Sequence, residues 1–213
     1  MDTPGAERTR LRPLRAAVIL AVAGGLAVGG VAVVHDLARP RIEASDRERR
    51  VARLAEVLGT AQYDNDLLAD VVHVRDAELL GTDAMLPVHR ARLGATPVAA
   101  LLFPVAPDGY SGAIRLVVAI DPQGRLLGVR VLGHKETPGL GDAIEPRKSE
   151  WIDSFRGRSL GDPGEDGWKV RKDGGEFDQF TGATVTPRAV VRAVHGALVY
   201  FDRHREELLA PGR

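Results

Sequence analysis

The segment VAALLFPVAPDGYSGAIRLVVAIDPQGRLLGVRVL, residues 98–132, decides the fold of this chain. It contains three apolar runs, which cover residues 98–105, 113–121 and 125–132. The turn sequences that separate them are Pro107-Asp108-Gly109 and Pro122-Gln123-Gly124. Apolar runs of this length are typical of strands, and short turns rich in glycine and proline connect antiparallel neighbours. We therefore predict a mostly antiparallel sheet, and together with the helices predicted around it an α+β fold.

Towards the N-terminus, residues 16–34 form an uncharged run of nineteen residues. A helix of this length spans about 28 Å, which is close to the thickness of the hydrocarbon core of a bilayer. The apolar core of a cleaved signal peptide, which is the alternative, is shorter at about 7–15 residues. We therefore predict a single transmembrane helix at residues 16–34, after a polar and basic N-terminus at residues 1–15.

The three predicted strands form an antiparallel meander. The segment between the transmembrane helix and this meander, residues 35–97, is predicted to contain a helix and a mixture of turns and a short strand. Apolar residues at helical spacing predict a helix over residues 41–58 that Gly59 ends. A turn is predicted at residues 64–66 and a short strand at residues 71–74. We place the main domain at residues 98–213.

Two further helices and a hairpin are predicted after the meander. The first helix covers residues 148–155, a loop covers residues 157–167, and the hairpin covers residues 168–180. The second helix is predicted to begin at Pro187, with Thr186 as its N-cap. Its apolar side chains recur at helical spacing, and they are Val190, Val191, Val194, Leu198 and Phe201.

Composition excludes several classes of protein. Lys and Arg number 29 and so do Asp and Glu, so the net charge is zero and no strong field for nucleic acid is expected. The chain has no cysteine, which excludes disulfides, thiolate-held iron–sulfur clusters and a cysteine nucleophile. No Gly-x-Gly-x-x-Gly sequence follows a predicted strand, so the sequence gives no sign of a nicotinamide site.

The stretch Asp178-Gln179-Phe180-Thr181-Gly182-Ala183-Thr184-Val185-Thr186-Pro187 carries three hydroxyl groups just ahead of the predicted helix. Free N–H groups and the helix dipole favour a negative group at a helix N-terminus. Gly182 and Ala183 keep bulk away from the backbone there. By itself the stretch indicates a plain capped helix start, because threonine is common at N-caps.

The same stretch resembles the flavinylation motif, Asp-x-x-Thr-Gly-Ala-Thr, of the RnfG/NqrC family of FMN-binding subunits. The resemblance implies that Thr184 carries FMN through a phosphoester bond. Asp178, Thr181, Gly182 and Ala183 complete the motif and belong to the implied cofactor site. A phosphodiester keeps one negative charge, which suits a helix N-terminus.

A second stretch, His134-Lys135-Glu136-Thr137-Pro138-Gly139-Leu140-Gly141-Asp142, follows the third predicted strand. Taken alone, its glycines indicate an ordinary loop between a strand and a helix. The stretch resembles the other signature of the same family, and Tyr110-Ser111-Gly112 resembles the family's Gly-Tyr-x-Gly turn. The resemblance implies that Glu136, Thr137, Leu140 and Gly141 line the flavin. His134 and Glu136 could instead form an acid–base pair, and Arg188 and Lys169 could contact the phosphate or the flavin.

The resemblance extends over nearly the whole chain and implies an FMN-binding domain at residues 98–213. The implied function is that of an electron-transfer subunit of an Rnf-type complex, linked to ferredoxin and NAD and coupled to ion movement. Such a subunit relays electrons and is not a complete enzyme. It has other membrane subunits as partners and needs a flavin transferase for maturation. The implied location is the bacterial inner membrane, with a cytoplasmic N-terminus and the domain on the periplasmic side.

Two alternatives stay open at this point. One is an NqrC-like subunit of a sodium-translocating NADH:quinone reductase. The other is a membrane-anchored extracytoplasmic sensing or scaffold domain without a cofactor.

Overall fold

The computed structural model describes residues 45–211, together with Ala17, Leu20, Ala21, Val22, Gly24, Gly25 and His35. The predicted N-terminus and most of the predicted transmembrane helix lie outside these residues. Within the part that is described, no helix is both long enough and apolar enough to cross a membrane. The chain divides into two compact units, residues 1–50 and 51–213. Residues 45–50 of the first unit are helical, and the second unit contains the sheet.

The second unit is built on one antiparallel sheet, which confirms the predicted fold class. Its strands are β1 (Val71–Asp76), β2 (Thr82–Leu93), β3 (Thr96–Leu102), β4 (Val105–Ala106), β5 (Ile114–Ile120) and β6 (Leu126–Gly133). β1 pairs with β2 and β2 with β3. β3 and β4 follow each other along one edge of β5, and β6 pairs along its other edge. The predicted meander is therefore β3, β5 and β6.

Both faces of the central strands are buried. In β3, Ala99 and Leu101 belong to one apolar core, whereas Ala100 and Leu102 belong to the other. In β5, Val117 likewise faces the first core and Val118 the second. Strands buried on both faces are continuously apolar, which is why these strands are the clearest signal in the sequence.

One helix covers each face of the sheet. The part of helix α1 that lies in the second unit, residues 51–58, packs Leu54, Val57 and Leu58 against the first core and ends before Gly59. A Cβ on Gly128 of β6 would lie 2.5 Å from the Val57 carbonyl oxygen, so only glycine allows α1 to approach this closely. Helix α2, Val185–Leu209, covers the second core. Its predicted apolar stripe is confirmed, because each of the five predicted side chains is buried.

The predicted start of α2 is wrong. The helix begins at Val185 with Thr184 as its N-cap, two residues earlier than predicted, and Pro187 is its third residue. The reason is that the Thr186 hydroxyl donates a hydrogen bond to the buried Glu136 carboxylate, so it is not used as a cap.

Short 3-10 helices connect the sheet to α2 over residues 134–184, all of which the structure describes, and the predicted hairpin is not formed in this segment. They are Gly141–Ile144, Trp151–Phe155, Glu165–Gly167 and Arg171–Asp173. The helix predicted over residues 148–155 is therefore only the short Trp151–Phe155 turn. The predicted hairpin over residues 168–180 is wrong, because Val170 and Phe177 form one isolated bridge. Phe177 stacks at 4.7 Å on Phe155 and 5.1 Å from Trp168, so aromatic packing shapes this segment.

Candidate functional site

The two motifs meet in one cleft of about 280 Å³. The start of α2 forms one wall, and the loop after β6 forms another. A third wall comes from the turn that precedes β5. The lining residues are Tyr110, Glu136, Thr137, Leu140, Gly141, Gly182, Ala183, Thr184, Val185 and Thr186. The fold thus brings together two stretches that lie more than thirty positions apart in the chain.

Thr184 is placed at the N-terminal end of α2, at the edge of this cleft. Its side chain is half-buried and makes no capping hydrogen bond, so the hydroxyl is not used to stabilise the helix. The carbonyl oxygen of Thr184 accepts the Arg188 N–H at 3.3 Å. Pro187 has no N–H, so the free donors of the first turn are the N–H groups of Val185 and Thr186, which have no acceptor within the helix. An anion at this hydroxyl would therefore meet free donors and the positive end of the helix dipole.

The two neighbouring threonines have different surroundings. The Thr186 side chain is 0% exposed, and its hydroxyl donates to Glu136 Oε2. Thr181 is exposed and does not line the cleft. Among the three threonines of the motif, Thr184 is the one that lines the cleft without being buried, and its hydroxyl neither caps the helix nor bonds to Glu136.

Glu136 lies at the inner end of the cleft and is only 4% exposed. Its Oε1 atom accepts the Ser111 N–H at 3.0 Å, and its Oε2 atom accepts the Thr186 hydroxyl. A Cβ on Gly141 would lie 2.9 Å from both Glu136 Oε2 and Thr186 Oγ1. The absence of a side chain at Gly141 is therefore required for the contact between Glu136 and Thr186.

The side chains of His134 and Glu136, considered above as an alternative acid–base pair, do not bond to each other. His134 Nδ1 accepts the backbone N–H of Glu136 at 3.1 Å, and His134 Nε2 lies 2.9 Å from Glu145 Oε1. Each side chain is thus engaged elsewhere. The ring of His134 fixes the backbone ahead of the cleft and does not act on the Glu136 carboxylate.

The rim of the cleft is apolar and exposed. Tyr110 is 72% exposed, Leu140 is 45% exposed and Val185 is 41% exposed. Large apolar side chains that are exposed side by side commonly mark a binding surface. At Gly182 the backbone has φ +82°, and a Cβ there would lie 3.4 Å from Leu140 Cδ2. The two loops therefore approach closely, and a flat apolar group could lie on the rim.

Each charged residue predicted near the site forms an ion pair with a different residue outside the cleft. Asp178 lies 3.1 Å from Arg171, and both side chains are exposed. Arg188 donates to both oxygens of Asp173 at 2.6 and 2.8 Å, and this pairing lowers the pKa of the Asp173 carboxyl. Lys169 lies 3.3 Å from Asp166. None of these side chains lines the cleft.

Val185 and the role of Thr186 are the features of the site that the sequence did not predict. Val185 is an apolar residue between two threonines, and a helix start displaced to Pro187 hid its position on the rim. Trp151 is also new. Its Nε1 atom donates to the Asp178 carbonyl at 2.8 Å, and its ring packs 5.1 Å from that of Phe180. Trp151 therefore contacts two residues of the motif, Asp178 and Phe180, and stabilises their position.

This region of the chain is similar to known proteins. Residues 109–199 fit the family model of an FMN-binding domain, and this range includes the whole cleft. The G subunit of the ion-translocating oxidoreductase complex of Pseudomonas aeruginosa is 55% identical over 203 residues, which are 95% of each chain. The corresponding protein of Cereibacter sphaeroides is 48% identical over 93% of this chain and 89% of that protein. The one of Vibrio atlanticus is 44% identical over 91% and 92%.

Proposed function

We propose that this chain, which belongs to the family of G subunits of ion-translocating oxidoreductase complexes, is the electron-transfer subunit of an Rnf-type complex and carries FMN on Thr184. Residues 109–199 form an FMN-binding domain, so FMN is the cofactor and the chain is a flavoprotein of electron transport. The ferredoxin and NAD link of the complex, its ion coupling and the covalent bond are parts of this proposal.

The observation that best supports a covalent bond to FMN is the position of the Thr184 hydroxyl. It lines the cleft at a helix N-terminus and takes no part in capping. In the proposed attachment, the Thr184 oxygen forms a bond to phosphorus and the pyrophosphate bond of FAD breaks. AMP leaves, and the hydroxyl proton passes to the modifying enzyme or to solvent. A separate flavin transferase is the partner that this step requires.

The described residues fit FMN. The first-turn N–H groups of α2 would hold the phosphate, because helix N-termini bind anions. Leu140, Tyr110 and Val185 supply exposed apolar surface of the kind that a flavin ring would cover. Thr137 and Gly141 line the same cleft, and Gly182 and Ala183 leave room near the backbone. Asp178 and Thr181 are exposed beside the cleft, where a modifying enzyme could reach them.

When bound, FMN supplies electron transfer, and the protein supplies its position and electrostatic surroundings. Attachment through the phosphate leaves the ring itself unaltered, so contacts to the ring would set the reduction potential. The subunit would then be a relay station between other subunits. We further propose a single-pass anchor at residues 16–34 with the flavin domain on the periplasmic side of the inner membrane.

The test is attachment of flavin to single-threonine variants. The full-length chain is produced with a flavin transferase, and its intact mass and in-gel fluorescence under ultraviolet light are measured. We expect T184A to lose both the added mass and the fluorescence. The matched control T96A keeps them, because Thr96 is exposed at the start of β3, outside both motifs, and does not line the cleft. Flavin on T184A, or none on the unaltered chain, would overturn the assignment.

A further inference from the structure

We propose that Glu136 is a positioning residue, which holds the Thr186 hydroxyl and thereby fixes the first turn of α2 and the Thr184 hydroxyl at its start. This inference rests on the proposed function, because the position of Thr184 matters to function if that residue carries the flavin. It differs from the expectation that Glu136 contacts the flavin ring directly.

Both oxygens of the Glu136 carboxylate accept hydrogen bonds from the protein itself. One oxygen accepts the Ser111 N–H at 3.0 Å and the other accepts the Thr186 hydroxyl. The donors come from two separate segments, the turn before β5 and the first turn of α2. Because a buried polar group is costly when unpaired, both bonds are held firmly, and the carboxylate ties the two segments together.

Glycines enclose this carboxylate. A Cβ on Gly141 would lie 2.9 Å from Glu136 Oε2, and one on Gly109 would lie 3.0 Å from Glu136 Oε1. By contrast, Leu140 and Val185 are exposed on the rim. The packing therefore directs the carboxylate to Thr186, and the rim side chains are the ones that face a ligand.

The helix start explains why such a tether is needed. A threonine at an N-cap usually fixes the first turn by accepting an N–H with its own side chain. Thr184 makes no such bond, and an esterified hydroxyl would be a poorer acceptor for it. The bond between Glu136 and Thr186, two residues further along, holds the first turn in its place.

The experiment uses four variants of the full-length chain: E136A, E136Q, T186V and the double variant E136A/T186V. E136A and T186V each remove the tether. E136Q can keep it, because the amide oxygen can accept the Ser111 N–H while the amide nitrogen donates to Thr186 Oγ1. Two controls remove comparable bonds elsewhere. Thr82→Ala removes a hydroxyl that accepts the Ala84 N–H at 3.3 Å, and Asp121→Ala removes a carboxylate that accepts two backbone N–H groups.

Three quantities are measured. With the transferase, the rate of flavin attachment is followed by mass, and the visible circular dichroism of the attached flavin is recorded. In the flavin-free chain, hydrogen exchange of the segment 180–188 is followed by mass spectrometry. We expect E136A and T186V to slow attachment about five- to tenfold, the factor that corresponds to one lost hydrogen bond. We also expect them to change the dichroism and to speed exchange in that segment.

E136Q and both controls should stay near the unaltered chain, and the double variant should be no worse than either single one, because the two residues act through one bond. Unchanged attachment and exchange in E136A would overturn the proposal, as would effects that multiply in the double variant. An impaired E136Q beside a normal T186V would also overturn it, in favour of direct contact with the flavin. If E136A does not fold, T186V and E136Q carry the comparison. If the unaltered chain takes no flavin, the proposed function fails, and the exchange measurement still decides whether the tether exists.

Discussion

Thr181, Thr184 and Thr186 lie within six residues of one another, yet each has its own environment. Thr181 is exposed, Thr186 is buried against Glu136, and Thr184 has a hydroxyl that does not cap the helix. The motif in the sequence predicted Thr184 as the modified residue. It could not predict the bond between Thr186 and Glu136, because fifty positions separate these residues and only the folded chain brings them together.

The protonation of His195 makes the stability of the folded chain depend on pH. It stacks on Trp168 at 5.4 Å, and burial lowers the pKa of its ring, while the charge of Glu165 acts in the opposite direction. Burial also lowers the pKa of His89. The unfolded chain, with a histidine pKa near 6.5, therefore binds protons before the folded chain does. Stability is complete above this pH and falls as the pH drops below it, towards the lowered pKa of the folded state.

We predict that His195→Phe flattens this dependence, since the ring is kept and cannot titrate. The midpoint of urea unfolding is measured between pH 5 and pH 8. The remaining slope should come in part from His89, whose ring is also half-buried. An undiminished slope in the His195 variant would show that this ring does not titrate differently in the two states.

At the scale of elements, β2 is a strand that the sequence analysis did not predict. It covers Thr82–Leu93, and the pattern of its residues includes Arg90 and Arg92 at buried positions. Charged residues at inward positions break the alternation on which a strand is recognised. Their burial depends on partners that are distant in the chain. Asp70 accepts from both guanidinium groups, and the Ala210 carbonyl beyond the end of α2 accepts from both as well.

Arg90 and Arg92 thus join β2 to the C-terminal end of α2, and Asp70 holds both guanidinium groups. We predict that Asp70→Ala destabilises the chain strongly. Removal of the carboxylate leaves two buried arginines without their acidic partner, a change that typically costs about 3–5 kcal/mol. Asp83→Ala is the control, because Asp83 pairs with Arg75 at the surface and such pairs contribute about 0–1 kcal/mol. Urea unfolding measures both. Equal losses in the two variants would contradict the assigned role of Asp70.

At the scale of the whole molecule, the sequence predicted the sheet, the second helix and the two site motifs. The sheet was recognisable because β3 and β5 are buried on both faces. The connection between β6 and α2 was not, since its 3-10 turns follow from the packing of Trp168, Phe155 and Phe177 and not from any local pattern. The relatives belong to an oxidoreductase complex and the domain is FMN-binding, which favours the flavoprotein over a scaffold without a cofactor.

The domain boundary placed at residue 98 stays a prediction, and fragments test it. Residue 98 lies inside β3, whereas residues 51–213 form one compact unit with α1, all six strands and the cleft. We expect a fragment of residues 51–213 to unfold cooperatively and to accept flavin. A fragment of residues 98–213 should not fold, because Leu101 and Val117 would lose the side chains of α1 that cover them. Thermal circular dichroism distinguishes the two, and a cooperative transition in the shorter fragment would support the boundary at residue 98.

The walls of the cleft come from three places in the chain, namely the turn before β5, the loop after β6 and the start of α2. A group attached at Thr184 would touch all three, and whatever binds only the folded form raises its stability. Subunits that miss attachment would then open more often and offer their loops to proteases. Proteolysis in the cell would remove flavin-free subunits first. The remaining population would become enriched in flavinylated subunits without a separate quality-control factor.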